Sequence, residues 1–246
     1  MKVVRFTTGD DPRFGILDED EIVVLAGDPM FSGFDTTDER IPLDEAKLLA
    51  PVIPRSKVVG VIEGDDEDSE PTIYLKPNTA VVGPGDPIVI PDGAGAIEAN
   101  GTLVIVIGSI AKRVKAEDYA QVVFGYTAGN DVTAVDLMAA DGQWSRAKGY
   151  DTFAPIGPIM ETELDPNIAA VSTEIDGGGT RSGSVEALRY GIPRIVELVS
   201  EVWTLLPGDI IMVTVPGGGL EITDGDSVTV AIDGVGVLEN TVRTRA

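Results

Sequence analysis

The run Thr102-Leu-Val-Ile-Val-Ile-Gly-Ser-Ile110 has no polar side chain between Leu103 and Ile107, and four of those five positions are β-branched. A strand with one wet face alternates apolar and polar residues. A continuous run of this length reads as a strand buried on both faces. The chain must therefore place structure on two sides of it, which demands a layered domain. With 246 residues, 43% of them apolar, there is material for one sizeable domain, or a large one with a small appendage.

The rest of the pattern is also strand-rich. VVRF and EIVVL read as strands, separated by GDDPRFG and followed by polar turn residues. DEAKLLAPV then gives a short helical or extended lead-in, stopped by Pro51 and Pro54. Residues 1–55 are thus expected to form a small N-terminal β domain, and residues 56–246 the larger one. In the larger part KVVGVI, TIYLK, DIIMVTVP and DSVTVAIDGVGVLENTV read as strands, with turn chemistry at Gly83–Pro87. KAEDYAQVVFGY predicts a helix with Tyr119, Val122 and Val123 on its apolar stripe. IPRIVELVSEVWTL predicts a second, with Ile195, Leu198, Val199 and Val202 on one face and Pro193 in the first turn. The expected fold class is α+β and β-rich, a closed or nearly closed sheet with a few helices outside it.

Composition narrows the chemistry. There are no cysteines and no histidines, which removes disulfides, thiolate sites, the commonest general base and the commonest metal ligand. The formal charge is −23, from 41 acidic against 18 basic residues spread along the chain. Nucleic-acid binding needs a basic face, so it is disfavoured. No apolar run is long enough to span a bilayer, and MKVVRFTTGDD turns acidic at once, unlike a secretory signal. A cytoplasmic protein adapted to high salt is the expectation, its acidic, Lys-poor surface solvated while salt screens its self-repulsion.

YTAGNDVTAVDLM, DGQWSRAKGYDTFAPIGP, VWTLLPGDII and DGVGVLENTV, with VVGPGDPIVIP and YLKP upstream, resemble in order and spacing the fumarylacetoacetate hydrolase family. The resemblance runs from about Lys57 to the C-terminus. It implies a mixed β-roll C-terminal domain behind a small N-terminal domain, in homodimers or larger assemblies. It also implies a Mg²⁺ or similar hard cation held by three carboxylates, polarising a 2-oxo or 1,3-dicarbonyl acid. A lysine would neutralise developing charge, and in many members a His–Glu pair on a mobile loop activates water.

Carried onto this chain, the family's aspartate ligand falls on Asp131 and its lysine on Lys148. The two glutamates of the Glu-Gly-Glu motif fall on Asn100 and Thr102, with Glu98 two residues short of the first. Only IEGDDEDSE stands where the His-bearing loop should follow VVG. Val135 and Met138 replace an arginine and a glutamine, and the TGTP motif reads Val213-Thr214-Val215-Pro216. One carboxylate ligand remains where a hard cation would need three.

Each residue also has a plainer reading. Lys148 is an anion-binding residue or a structural ion-pair partner of Asp131 or Asp151. Asp131 is a metal ligand or a turn or capping residue after Asn130. Asp136 and Asp141 read as helix-end and turn residues, and Gln143, Trp144 and Arg146 as shaping the loop and a dimer contact, with Tyr150 and Phe153 beside Trp144. Glu63–Glu70 reads as a solvated acidic loop, and Gly217–Glu221 as a glycine-rich turn without a P-loop lysine. Two functions stay open. One is a non-catalytic paralogue with no tightly bound cofactor, pairing with itself or with an active homologue. The other is an active Mg-dependent hydrolase, decarboxylase or isomerase on a small 2-oxo or 1,3-dicarbonyl acid.

Overall fold

The two-sided burial that the central apolar run requires comes from packing on both faces of one large sheet. In the computed structural model, which describes residues 1–64 and 69–245, Gly101–Ile107 is a strand with every residue buried. It pairs antiparallel with Val123–Asn130 on one side and Ile210–Thr214 on the other. Leu103, Ile105 and Ile107 enter one hydrophobic cluster, and Val104 and Val106 enter another. Ile211 and Val213 separate from Ile210 and Met212 in the same way. Successive side chains point to opposite faces, so the stretch Leu103–Ile107, with a core on each side, has no polar position left.

The backbone-paired order across this sheet is Thr36–Pro42, Glu21–Leu25, Arg13–Asp18, Lys2–Thr7, Ala154–Glu161, Val123–Asn130, Gly101–Ile107, Ile210–Thr214, Val58–Ile62 and Thr72–Lys76. Strand Lys2–Thr7 meets Ala154–Glu161 through Lys2↔Glu161 and Val3↔Met160, which joins the N-terminal strands to the rest. A five-stranded sheet covers the first face with Val171, Val230 and Ile232, and the helix Ile192–Val202 adds Ile192, Ile195, Val196 and Val199. A three-stranded sheet of Thr133–Ala134, Ile97–Ala99 and Leu220–Ile222 lies beside the end of the central strand. The β-rich α+β expectation is met by these packed sheets. Among the described residues the path through the largest sheet runs between two ends, Thr36–Pro42 and Thr72–Lys76.

Several local expectations need correction. GDDPRFG is no mere connector, since the strand Arg13–Asp18 begins inside it. Thr36–Pro42 is a strand although its first five residues are all exposed. It lies at the sheet edge, where backbone pairing holds it without a buried face and its charges guard the edge. KAEDYAQVVFGY gives only a 3-10 helix, Ala116–Gln121, and Val123 already begins the next strand. Its β-branched and aromatic residues fit the sheet better than a helix. Val202, placed on the buried face of the second helix, is half exposed at its last turn.

Candidate functional site

The strand Val123–Asn130 runs beside Gly101–Ile107 until Asn130 faces Gly101. The next residue, Asp131, donates its backbone N–H to the Asn100 carbonyl at 2.8 Å. That fixes its side chain in the interior, with no solvent exposure. Two lysines reach the carboxylate. Lys148, at the end of the short helix Ser145–Lys148, donates from Nζ to Oδ2 at 2.5 Å and to Thr133 Oγ1 at 2.7 Å. Lys76 places Nζ 2.7 Å from Oδ1 and also donates to the carbonyls of Val132, Lys148 and Phe153 at 3.0, 2.8 and 2.8 Å. The Tyr74 hydroxyl donates to Oδ2 as well. Tyr74 and Lys76 are two apart on the strand Thr72–Lys76 and so share a face. The Tyr74 ring lies across its register partner Gly60, where an added Cβ would be 2.2 Å from ring atoms. Glycine at position 60 therefore makes room for the tyrosine.

The electrostatics follow from burial and pairing. Burial opposes ionisation of Asp131, but the charges of Lys148 and Lys76 outweigh it and hold the carboxyl at about 2. Burial pulls Lys76 down to about 8 against the attraction of Asp131. Burial and the neighbouring carboxylate push the Tyr74 phenol well above its ordinary value, so it stays a neutral donor. One carboxylate against two ammonium groups leaves the centre at net +1 (−1 + 2).

Asn100 and Thr102 lie close to this centre but are not equivalent in exposure. Asn100 donates from Nδ2 to the Asp131 carbonyl at 3.3 Å and lines a cleft of about 440 Å³. The cleft's other walls include Arg189, Thr214, Val215, Pro216 and Gly218. Thr102 is fully buried, in register with Thr214 on one side and Gly129 on the other. Glu98 and Asn100 both reach toward Gly219, where a Cβ would be 2.6 Å from the carboxylate and 2.7 Å from the amide oxygen.

Asp131 does not cap the following helix Val135–Asp141, whose N-cap is Ala134 with no side-chain bond. That helix carries Val135 and Met138. Asp136 accepts from the Ala96 N–H, and Asp141 pairs with Arg146 through two hydrogen bonds. Gln143 accepts from the Ser145 N–H. Trp144 packs edge-on to Tyr74 with ring centres 5.2 Å apart, whereas Tyr150 and Phe153 form a separate pair at 5.3 Å. The three aromatics thus split between two pairs. Glu63 accepts from the backbone N–H groups of Arg189 and Tyr190, closing one side of the cleft. Asp65, Asp66, Glu67 and Asp68 of the acidic loop lie outside the described residues.

A hard divalent ion does not fit this donor set. Both Asp131 oxygens face ammonium groups, and among the described residues no three acids or histidines converge as a metal site. Sequence reasoning quoted YLKP but gave its lysine no role, and it missed Tyr74 and Thr133. The available signal was the two-residue spacing of Tyr74 and Lys76, which sends both side chains the same way.

The family model for the fumarylacetoacetate (FAA) hydrolase C-terminal region matches residues 56–243, and that of the Rv2993c-like N-terminal region matches residues 1–51. This chain belongs to the FAA hydrolase family. Protein Rv2993c of Mycobacterium tuberculosis is 41% identical over 228 residues, 88% of this chain and 84% of that one. The 5-carboxymethyl-2-hydroxymuconate delta-isomerase from Mycobacterium smegmatis superposes with a TM-score of 0.92 at 38% identity, over the full length of both chains. Maleylpyruvate hydrolase from Sphingobium sp. SYK-6, solved with manganese(II) and pyruvate, gives 0.83 at 28% identity, again over both full chains.

Proposed function

We propose that this chain is a family member that has left divalent-metal chemistry, a non-catalytic paralogue serving as a ligand-binding subunit or as a partner for itself or an active homologue. The observation that carries this reading is the Asp131 centre, where two ammonium groups hold the single carboxylate. Charge balance makes the change coherent. Losing two glutamates removes two negative charges, and losing a divalent ion removes two positive ones, so the net charge of the centre is preserved without metal. Refilling the site with Mg²⁺ alone would bring a dication next to a centre already at +1, with one carboxylate whose two oxygens each face a lysine ammonium. Homodimers or larger assemblies, and a high-salt cytoplasm, belong to the same reading. The −23 charge supports the latter.

A second reading is an isomerase or hydrolase on a small 2-oxo acid, with Mg²⁺ recruited on substrate binding. What favours it is the kind of enzyme named among the similar structures, together with the retention of Asp131 and Lys148 near an open cleft.

Titration with Mn²⁺ and turnover assays on oxaloacetate and acylpyruvates, with and without chelator, separate the two. No tight Mn²⁺ site and no chelator-sensitive turnover are the expected results. An octahedral ion held by Asp131 and two further protein oxygens, or metal-dependent turnover, would give the protein to the second reading.

A further inference from the structure

A second cavity, of about 170 Å³, lies away from the Asp131 centre, where the N-terminal strands meet the main body. Its apolar walls include Phe14, Met30, Phe31 and Met160, and its charged residues are Arg5, Arg55 and Asp28. Two of these charges already have work within the fold. The Asp28 carboxylate accepts from the Met30 N–H at 3.0 Å and caps a short helical turn. Arg55 stacks its guanidinium 4.5 Å above the Phe31 ring.

Arg5 is different. It is half-buried, and among the described residues its guanidinium makes one hydrogen bond, a long one of 3.4 Å to the Ala50 carbonyl. Among the described residues no carboxylate makes a salt bridge with it. Burial pulls its pKa down, and the charge of Asp28 in the same cavity wall opposes that. In a chain with 41 acids and 18 bases, a poorly compensated guanidinium at the wall of a cavity stands out. A buried cation is costly unless it is paired, and a guanidinium is shaped to bind a carboxylate through two parallel hydrogen bonds.

The space around Arg5 defines the rest of the ligand. A cavity of about 150 Å³ holds a benzene molecule. Two methionines and two phenylalanines suit a flat ring, because thioethers make favourable contacts with aromatic edges. Phe31 and Ile53 at the mouth are both more than half exposed, and bound ligand would cover them.

We propose that this cavity is a binding site for a small aromatic carboxylate, with the carboxylate on Arg5 and the ring among Phe14, Met30, Phe31 and Met160. The site is separate from the cleft beside Asn100 and does not depend on whether that cleft is catalytic.

Sodium benzoate is the probe, with benzyl alcohol as its uncharged counterpart at the same ionic strength. Methyl NMR of the intact protein reads the location, because Met30 and Met160 line the cavity while Met138 and Met212 do not. Saturable benzoate binding is expected, with shifts at the Met30 and Met160 methyls. Benzyl alcohol should bind at least tenfold more weakly, and Arg5→Leu should weaken benzoate by a similar factor. No saturable binding, shifts confined to Met138 or Met212, or equal affinity for the alcohol and the acid would each overturn the proposal. The methyl map and the alcohol comparison use the unmodified protein, so the outcome stands even if Arg5→Leu fails to fold.

Discussion

The Asp131 centre and the Arg5 cavity handle charge in opposite ways. At Asp131 a buried carboxylate has two ammonium groups and a phenol, and its lysines are further bonded to three carbonyls and a threonine hydroxyl. At Arg5 a half-buried guanidinium has one long bond to a carbonyl. The first arrangement holds its carboxylate by ion pairs and acts as a staple between the strand Thr72–Lys76 and the segment from Asp131 to Phe153. The second lacks a counterion, so a ligand has something to add.

Single substitutions should separate the two regions most strongly. Breaking a buried ion pair by removing one partner costs about 3–5 kcal/mol, because it leaves uncompensated charge in the interior. Asp131→Asn strands two lysines and should lose stability of that order by denaturant titration. Arg5→Leu should cost under about 1 kcal/mol, since little holds Arg5 in place. Equal costs would erase the distinction. The acid limb gives a second measure. Asp131 titrates at about 2 in the folded protein, below its unfolded value near 4. Its contribution is therefore complete above about pH 4 and lost as pH falls toward 2, and it amounts to about 2 kcal/mol. The stability gap between the unmodified protein and Asp131→Asn should narrow by more than half of that between about pH 5 and pH 2.5, with the rest lost at still lower pH. A gap independent of pH would mean that Asp131 is not held as an ion by the lysines.

The sequence disclosed these two regions unequally. The apolar run at Leu103–Ile107 announced a strand with two covered faces, and the family motifs pointed to Asp131, Lys148, Asn100 and Thr102, of which the structure joins Asp131 to Lys148 by an ion pair and to Asn100 by hydrogen bonds. Lys76 and Tyr74 were hidden by distance. Tyr74 reaches Asp131 across 57 residues of chain, and no periodicity within one element reports a contact between two. The Arg5 cavity was hidden for the same reason, since Phe14, Met30 and Met160 come from separate strands and turns. Thr36–Pro42 shows the limit of pattern reading at an edge, where a strand can form with almost no apolar face.

A smaller effect comes from restoring carboxylates. Asn100→Glu with Thr102→Glu moves the centre from +1 to −1, where a divalent ion would return it to +1. Position 100 lines the cleft at the break between the strands Ile97–Ala99 and Gly101–Ile107, and position 102 lies inside the second of them. Room is the second requirement. Thr102 is fully buried and in register with Thr214, which stands where the family's TGTP motif has glycine. The double variant should gain at least tenfold in Mn²⁺ affinity over the unmodified protein, a gain of about 1.4 kcal/mol. Adding Thr214→Gly should increase it further. If the triple variant binds no better than the double, crowding at Thr214 is not part of the loss. Turnover of acylpyruvates should stay absent in both, because the His-bearing loop is not restored.

Salt should have the smallest effect, and it should distinguish surface from interior. Most of the −23 charge lies on exposed acids, and surface ion pairs such as Arg40 with Asp18 and Glu21, or Arg13 with Glu39, are too few to offset it. At molar salt the screening length falls to about 3 Å, so repulsion among exposed acids largely disappears, while the buried Asp131 centre is screened far less. Relief of about 1 kcal/mol would raise the melting temperature by about 2–4 °C for a domain of this size, and at least that rise is expected between dilute buffer and molar KCl. The stability gap between the unmodified protein and Asp131→Asn should be the same at both ends of that range, to within about 0.5 kcal/mol. A flat melting temperature would remove the high-salt inference and leave the fold untouched. A gap that collapses in salt would show that water and ions reach Asp131, and the contrast between a sealed centre and an open cavity would fail with it.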